Sequence, residues 1–382
     1  MTIFYVTTTV HISSEFKEAL GSTTHTFSVA KELRKLGHEV HIVSEQFEGD
    51  KEYEQIEGIH IHRLLRGGGV MSSRAVKQSS WIRVLKKFKI FPNMILARKV
   101  ARLIKQAQAD IVLERGHSLG VGAMAARLSG RPFVLEVIDH IFSPYSLKKS
   151  AAVIAYTTIF FPEQYKEKVT LVHAGYDPTL FYPLETKKKY DVAFVGSFKE
   201  WEGLEDLVEA AKIVVQERPQ TRFLLIGSGV RYETVNRMIS KSGLQTNFTL
   251  AGKIPLRDVS SYLCEASIGV APYNTSLSHK GEFDKYGFYF SPLKIFEYMA
   301  CGLPIVATGY PIIQRIVTPE VGLTFPPEDI RALAGQLLAL LNQPEQIKQM
   351  AFHNIQLSRH YTWSAVADTI NQQLGAAIVV RE

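Results

Sequence analysis

Between Phe288 and Pro304 the chain reads FYFSPLKIFEYMACGLP, a run whose residue types and spacing could hold an anion at a helix start. Ser291 suits an N-cap, Pro292 the first helical position and Gly302 the left-handed residue after the helix, with Pro304 just beyond. Because Pro292 carries no N–H, the amides of Leu293 and Lys294 are expected to point outward at the positive end of the helix dipole, where phosphate binds readily. Lys294 and Glu297 lie three residues apart and so share a face. Two readings stand for that pair. It is either an ordinary ion pair on a solvated helix or a cation and a carboxylate addressing one ligand.

Other candidates follow strands. Gly21-Ser22 opens a helix after the first strand, which suits close backbone approach to a ligand as well as plain capping. His117, in the run Glu114-Arg115-Gly116-His117-Ser118, follows a short apolar strand and reads as a loop histidine or a ligand contact. Glu136 and Asp139 sit at the carboxyl edge of another strand, where α/β sheets bind ligands, and are expected on an acceptor side. Gly227, in Gly227-Ser228-Gly229, reads as a tight turn or as the border of a nucleotide site. No G-x-G-x-x-G follows the first strand, which argues against a dehydrogenase, and no Walker loop, zinc spacing or Asp-x-Asp motif is present.

These candidates need elements to carry them. The chain has 382 residues, 46% of them hydrophobic and 21% charged, which fits two globular domains. Apolar strands alternate with helical patterns, the mark of βαβ units. Strands are expected at Ile3 to Thr8, Val40 to Ser44, Ile111 to Glu114 and Phe133 to Ile138, with a helix from Thr23 to Leu36. The rhythm restarts after a lysine-rich stretch, 184–189, read as a linker. Strands follow at Asp191 to Gly196, Phe223 to Ile226, near Phe248 to Leu250, and Ile268 to Ala271. Domains are therefore expected over 1–183 and 190–358, with a C-terminal helix, 359–382, packing back on the first.

Charge is uneven. The net charge is +7, yet between Val70 and Ala109 there are ten basic residues and no acidic one. Within 74–105, Trp81, Ile82, Val84, Leu85 and Phe88 interleave with Arg83, Lys86, Lys87 and Lys89. This stretch reads as a solvated face or as an amphipathic basic segment that lies on anionic membranes. No nucleic-acid-binding motif accompanies it. No apolar run is long enough to span a bilayer, and the start lacks the basic residues of a signal peptide, so a cytoplasmic location is expected. Cys264 and Cys301 are too few for a disulfide framework and read as reduced core thiols.

The run from Ser291 to Pro304 resembles the hallmark motif of the retaining family-four glycosyltransferases with the GT-B fold, P-L-K-x-x-E-Y-M-A-x-G-x-P-V-V. The resemblance extends to Ala271-Pro272-Tyr273, to Val172-His173-Ala174-Gly175-Tyr176-Asp177 with Phe181 and Pro183, and to Tyr361-Thr362-Trp363, in the family's order. It implies two Rossmann-like domains facing each other across a cleft that holds the donor. It also implies transfer of a sugar from a UDP- or GDP-sugar to a hydroxyl acceptor with retention, without a metal or other cofactor. By this resemblance Glu297 binds the ribose, and Ser291, Leu293 and Lys294 hold the diphosphate. His117 faces the donor sugar, with Gly21 and Ser22 close to the diphosphate. Three departures stand out. Tyr289 occupies the place of a second glutamate that contacts the donor sugar, and Ser197 and Glu202 stand where Arg and Lys neutralise the diphosphate, leaving Lys199 as the nearest cation. Ala174 replaces an asparagine.

The reading is thus a glycosyltransferase of glycan or cell-envelope biosynthesis. Its expected partners are a nucleotide-sugar, a hydroxyl acceptor that is lipid-linked in some relatives, and an anionic membrane met through 74–105, with no nucleic acid. A non-catalytic nucleotide-sugar-binding subunit and a nucleotide-sugar epimerase of the same fold are the alternatives.

Overall fold

The computed structural model describes residues 1–12, 21–47, 49–64, 90–276 and 280–379. It divides into two compact units, Met1–His173 with Trp363–Glu382, and Ala174–Thr362.

The first unit is built on β1 (Thr2–Thr7), β2 (Glu39–Glu45), β3 (Tyr53–Ile56), β4 (Ile59–Leu64), β5 (Ile111–Arg115), β6 (Phe133–Val137), β7 (Ala152–Ala155) and β8 (Val169–Leu171). The order across the sheet is β3-β4-β2-β1-β5-β6-β7-β8, with only the β3–β4 pair antiparallel. That pair is a hairpin turning on Glu57 and Gly58, both at positive φ (48° and 78°), as a two-residue type I′ turn requires. β1, β5, β6 and β7 are buried on both faces and read as largely apolar runs, whereas β4 alternates buried and half-buried residues. One face packs on the helices Ile90–Gln106 and Val121–Ser129 through Phe4, Val6, Val112 and Leu135. The helix Gly21–Lys35 packs against the C-terminal helix Trp363–Val379.

The second unit holds β9 (Tyr190–Val195), β10 (Phe223–Ile226), β11 (Phe248–Gly252), β12 (Ala266–Ala271), β13 (Ile305–Thr308) and β14 (Gly322–Phe325). All are parallel in the order β11-β10-β9-β12-β13-β14. Its core joins Phe194, Phe198 and Phe223 to Leu207, Val208 and Leu337 from the covering helices.

The boundaries differ from those expected. Residues 174–183 belong to the second unit, because Tyr176 pairs with Thr362 and bonds Ser358, and the Tyr182 backbone exchanges hydrogen bonds with Ser260. The 184–189 stretch is also tied there: Thr186 and Lys188 both donate to the Cys264 carbonyl. Likewise 359–362 stays with the second unit, and the crossing back falls at Trp363. Cys264 and Cys301 are free and buried.

Of the basic stretch, residues 74–89 lie outside the described residues. Its remainder forms the helix Ile90–Gln106, which exposes Arg98, Lys99, Arg102 and Lys105 along with Met94 and Ile95. Among the described residues no helix is long and apolar enough to cross a membrane.

Candidate active site

In each sheet the chain winds outward in both directions from a central strand pair, β1/β5 in the first unit and β9/β12 in the second. The carboxyl ends of such a pair flank the crevice where doubly wound sheets take ligands. In the second unit those ends are Gly196-Ser197 and Pro272-Tyr273. Gly227, after the neighbouring β10, has φ 130°, and a Cβ there would lie 1.8 Å from the Gly196 carbonyl oxygen. Only glycine lets these two turns meet.

Lys294 rises into this crevice. It is 6% exposed, its ammonium lying 4.1 Å from the Phe194 ring centroid and 4.8 Å from that of Tyr273. Its ion-pair partner is Glu202, itself 7% exposed, and not Glu297. Burial pulls the Lys294 pKa down, and the Glu202 carboxylate opposes that pull. Neither of the two sequence readings anticipated this partner.

Glu297 lies one turn along the helix Leu293–Ala300 and retains partial exposure. Among the described residues its carboxylate accepts no hydrogen bond. Burial raises its pKa to about 7, against the lowering influence of Lys294. An unpartnered carboxylate in such a place is an open acceptor for ligand hydroxyls.

The helix start is not the cap expected from sequence. The helix begins at Leu293, and Pro292 (φ −83°, ψ 77°) flanks it. Ser291 Oγ instead accepts from the Ala174 amide at 2.9 Å, and the Leu293 amide turns back to the Ser291 carbonyl at 3.0 Å. The Ser291 hydroxyl and the Leu293 amide, both assigned to the anion site, are thus used inside the fold. Lys199 is half-buried and sits 4.7 Å from the Trp201 ring centroid, while Ser197 beside it is exposed. Tyr289 is buried among Phe283, Tyr286 and Phe290, and its hydroxyl donates to Glu282 at 3.2 Å. A carboxylate therefore does stand next to Tyr289, supplied by the preceding helix Lys280–Tyr286.

In the first unit, the turn Gly116–Ser118 after β5 carries His117, whose Nε2 bonds the Asp139 carboxylate. Asp139 is fixed through its other oxygen by the Ile141 amide at 2.9 Å. Ser118 ties this turn to β1, accepting from the Thr8 amide and donating to the Val6 carbonyl, each at 3.0 Å. His117 and Asp139, assigned separately from sequence, form one partly exposed pair at the carboxyl ends of β5 and β6. Gly21 and Ser22 open the helix Gly21–Lys35, and the Ser22 carbonyl accepts from Arg115 at 3.1 Å.

Glu136 is a correction. It is 0% exposed, and both its oxygens are taken, one by the Tyr5 hydroxyl and the other by His25 Nε2 at 2.7 Å. Tyr156 completes the chain at His25 Nδ1, 2.8 Å away. Burial alone would raise the Glu136 pKa, but His25, Arg115 and Tyr5 outweigh it and hold it low. Glu136, the fourth residue of β6, points to the face covered by the helix Gly21–Lys35 and is fully enclosed there. A carboxylate inside the apolar run Phe133–Val137 was itself the sequence signal for such buried partners.

Two doubly wound α/β units, each presenting polar groups where its sheet divides, define a protein of the two-domain Rossmann-like kind. Residues 189–343 match the family model described as glycosyl transferases group 1, and residues 20–159 match that of glycosyltransferase family 4. Among solved structures, a sucrose-phosphate synthase from Thermosynechococcus elongatus superposes with a TM-score of 0.71 at 19% identity, covering 98% of this chain and 99% of that one. The Anabaena protein HepE, solved with UDP, gives 0.72 at 15% identity, covering 98% and 100%. The chain belongs to the family-four glycosyltransferases and has the GT-B fold.

Curated relatives match over shorter lengths. A GDP-mannose-dependent phosphatidylinositol monomannoside mannosyltransferase of Corynebacterium glutamicum is 27% identical over 173 residues, 45% of this chain and 43% of the relative. A putative colanic acid biosynthesis glycosyltransferase of Escherichia coli is 26% identical over 178 residues, 46% and 42% respectively. The chain thus spans less than half the length of these relatives.

Proposed function

We propose that this protein transfers a sugar from a nucleotide diphosphate-sugar to a hydroxyl acceptor in glycan or cell-envelope biosynthesis, with retention and without a metal in the transfer step. The observation that carries the reading is the presence, on one helix, of a buried ammonium (Lys294) and a carboxylate (Glu297) that accepts no hydrogen bond among the described residues, at the place where the sheet divides. That combination suits a ligand with both phosphate and vicinal hydroxyls.

In this reading the ribose hydroxyls donate to Glu297. Lys294, with Lys199 and the Lys294 amide, neutralises charge that develops on the diphosphate as the bond from the anomeric carbon to the phosphate oxygen breaks. The acceptor oxygen forms the new bond on the same face of the sugar, and its proton passes to the departing phosphate oxygen. His117, held by Asp139, orients the sugar. The envelope relatives named above, with the exposed Arg98, Lys99, Arg102 and Lys105, support a cytoplasmic enzyme meeting lipid-linked acceptors at an anionic membrane.

Melting shifts across UDP- and GDP-sugars, followed by product analysis with the best donor, test the proposal. A donor that stabilises the protein and is slowly hydrolysed or transferred supports it. Stabilisation with no turnover at any acceptor would favour a non-catalytic binding subunit, a reading motivated by Glu202 occupying Lys294.

A further inference from the structure

The first sheet carries a second cluster of chemistry-bearing groups, at the end of β2 opposite its ligand-facing carboxyl end. Glu39 and His41 alternate along β2 and His60 and His62 along β4, so the two-residue period puts all four on one face. The strands are parallel neighbours with His41 directly opposite His60. His41 Nε2 lies 3.0 Å and His60 Nε2 3.8 Å from the same oxygen, Glu39 Oε1. The three candidate ligand atoms all fall within 4.8 Å of one another.

We infer that Glu39, His41 and His60 form a binding site for a first-row divalent cation of the zinc type. Metal–ligand bonds of about 2.0–2.1 Å in a tetrahedral site place ligand atoms about 3.4 Å apart, between the two separations observed. Two imidazoles and one carboxylate suit zinc, cobalt or nickel, and not magnesium or calcium, which prefer all-oxygen sets.

The outer groups are already in place. His41 Nδ1 is 2.9 Å from His62 Nε2, His60 Nδ1 is 2.8 Å from the Tyr53 hydroxyl, and Glu39 Oε2 accepts from Thr2 Oγ1 at 3.2 Å. Each ligand therefore has an outer hydrogen-bond partner for its far atom, and His41 Nε2 is directed toward Glu39. Phe4 stacks on His41 at 4.6 Å and fixes that ring. His60 stacks on His41 at 4.3 Å and must turn out of that stack to converge on the ion; at 25% exposure it is freer to do so than His41 at 7%. The Glu39 side chain is 51% exposed, so the ion has an entry path and a fourth position open to water. Bound there, the ion would clamp β2 to β4 and so anchor the β3–β4 hairpin.

The test uses the full chain, without an affinity tag and after chelator treatment, titrated with cobalt chloride and zinc chloride. The expected result is one equivalent of cobalt with the intense visible absorption of a tetrahedral site, displaced by zinc, and a higher Tm with zinc. Glu39→Gln, on an exposed side chain, and His60→Gln should each weaken binding at least tenfold while circular dichroism stays unchanged. Absence of the cobalt band in the native chain, or a band and affinity unchanged in both variants, would overturn the site and leave a hydrogen-bonded histidine cluster.

Discussion

The Lys294 ammonium and the Glu202 carboxylate form a buried ion pair between the helix Leu293–Ala300 and the turn that follows β9. A pair this enclosed contributes little net stability, but breaking it from one side is costly, on the order of 3–5 kcal/mol, because the remaining charge is stranded. Glu202→Gln strands Lys294. A diphosphate at the site would supply the missing negative charge. The variant is therefore expected to melt lower than the native chain alone, yet to show a larger Tm rise with a nucleoside diphosphate. An equal rise in both proteins would remove Lys294 from the phosphate site.

Glu297 makes a pH-dependent prediction. Its pKa in the folded chain, about 7, stands above the ordinary 4.5, so between those values the folded state binds more protons than the unfolded one. The stability this brings is complete below pH 4.5 and is lost as pH rises through 7. Glu297→Gln does not titrate there. The stability of the variant minus that of the native chain should rise between pH 5 and pH 8, by about 1 kcal/mol after discounting for partial exposure, as denaturant melts at each pH would read. The same variant should bind nucleotide at least several-fold more weakly. A difference flat in pH would contradict the buried environment, and unchanged affinity would contradict the ribose contact.

Much of this was legible in the sequence, and the exceptions have physical causes. The strands with continuous apolar runs, such as Phe223–Ile226, were placed correctly, and the restart at Tyr190–Val195 separated the two sheets. The β3–β4 hairpin escaped because Glu-Gly is a weak type I′ signal and its strands are half polar. The short helix with Lys294 and Glu297 was found, but its cap was not, since Ser291 is drawn away by an amide 117 residues distant in the chain. Glu136 failed for the same reason: strand position is local information, whereas the Tyr5 and His25 that seal it come from elsewhere.

Gly227 tests the close approach of the two turns beneath the site. Alanine there must adopt φ near 130° and push a methyl into the Gly196 carbonyl 1.8 Å away, so β9 and β10 must part. We expect Gly227→Ala to cost at least about 3 kcal/mol, combining backbone strain with lost packing. Gly335 lies inside the helix Ile330–Leu341 without a positive φ, and a methyl added there would meet no atom within 4 Å. Gly335→Ala should stabilise by about 0.5–1 kcal/mol through helix propensity. Chemical denaturation of both variants checks the contrast, and similar effects would refute it.

His117 and Asp139 should behave as one unit in catalysis. Asp139 is anchored by the Ile141 amide and meets His117 through its remaining oxygen, so its effect on a sugar would be transmitted through the imidazole. Loss of such positioning costs on the order of 10²-fold when a reacting group shifts by about 1 Å. His117→Ala is therefore expected to lower kcat by about 10²-fold and Asp139→Asn by about tenfold, with little change in donor KM, since the proposed mechanism assigns the nucleotide to Lys294 and Glu297. The decisive measurement is the double variant. Two groups acting through one contact give a loss no larger than that of His117→Ala alone, whereas independent roles give the product of the two losses. Multiplicative losses would separate the residues and return Asp139 to a loop-anchoring role set by Ile141.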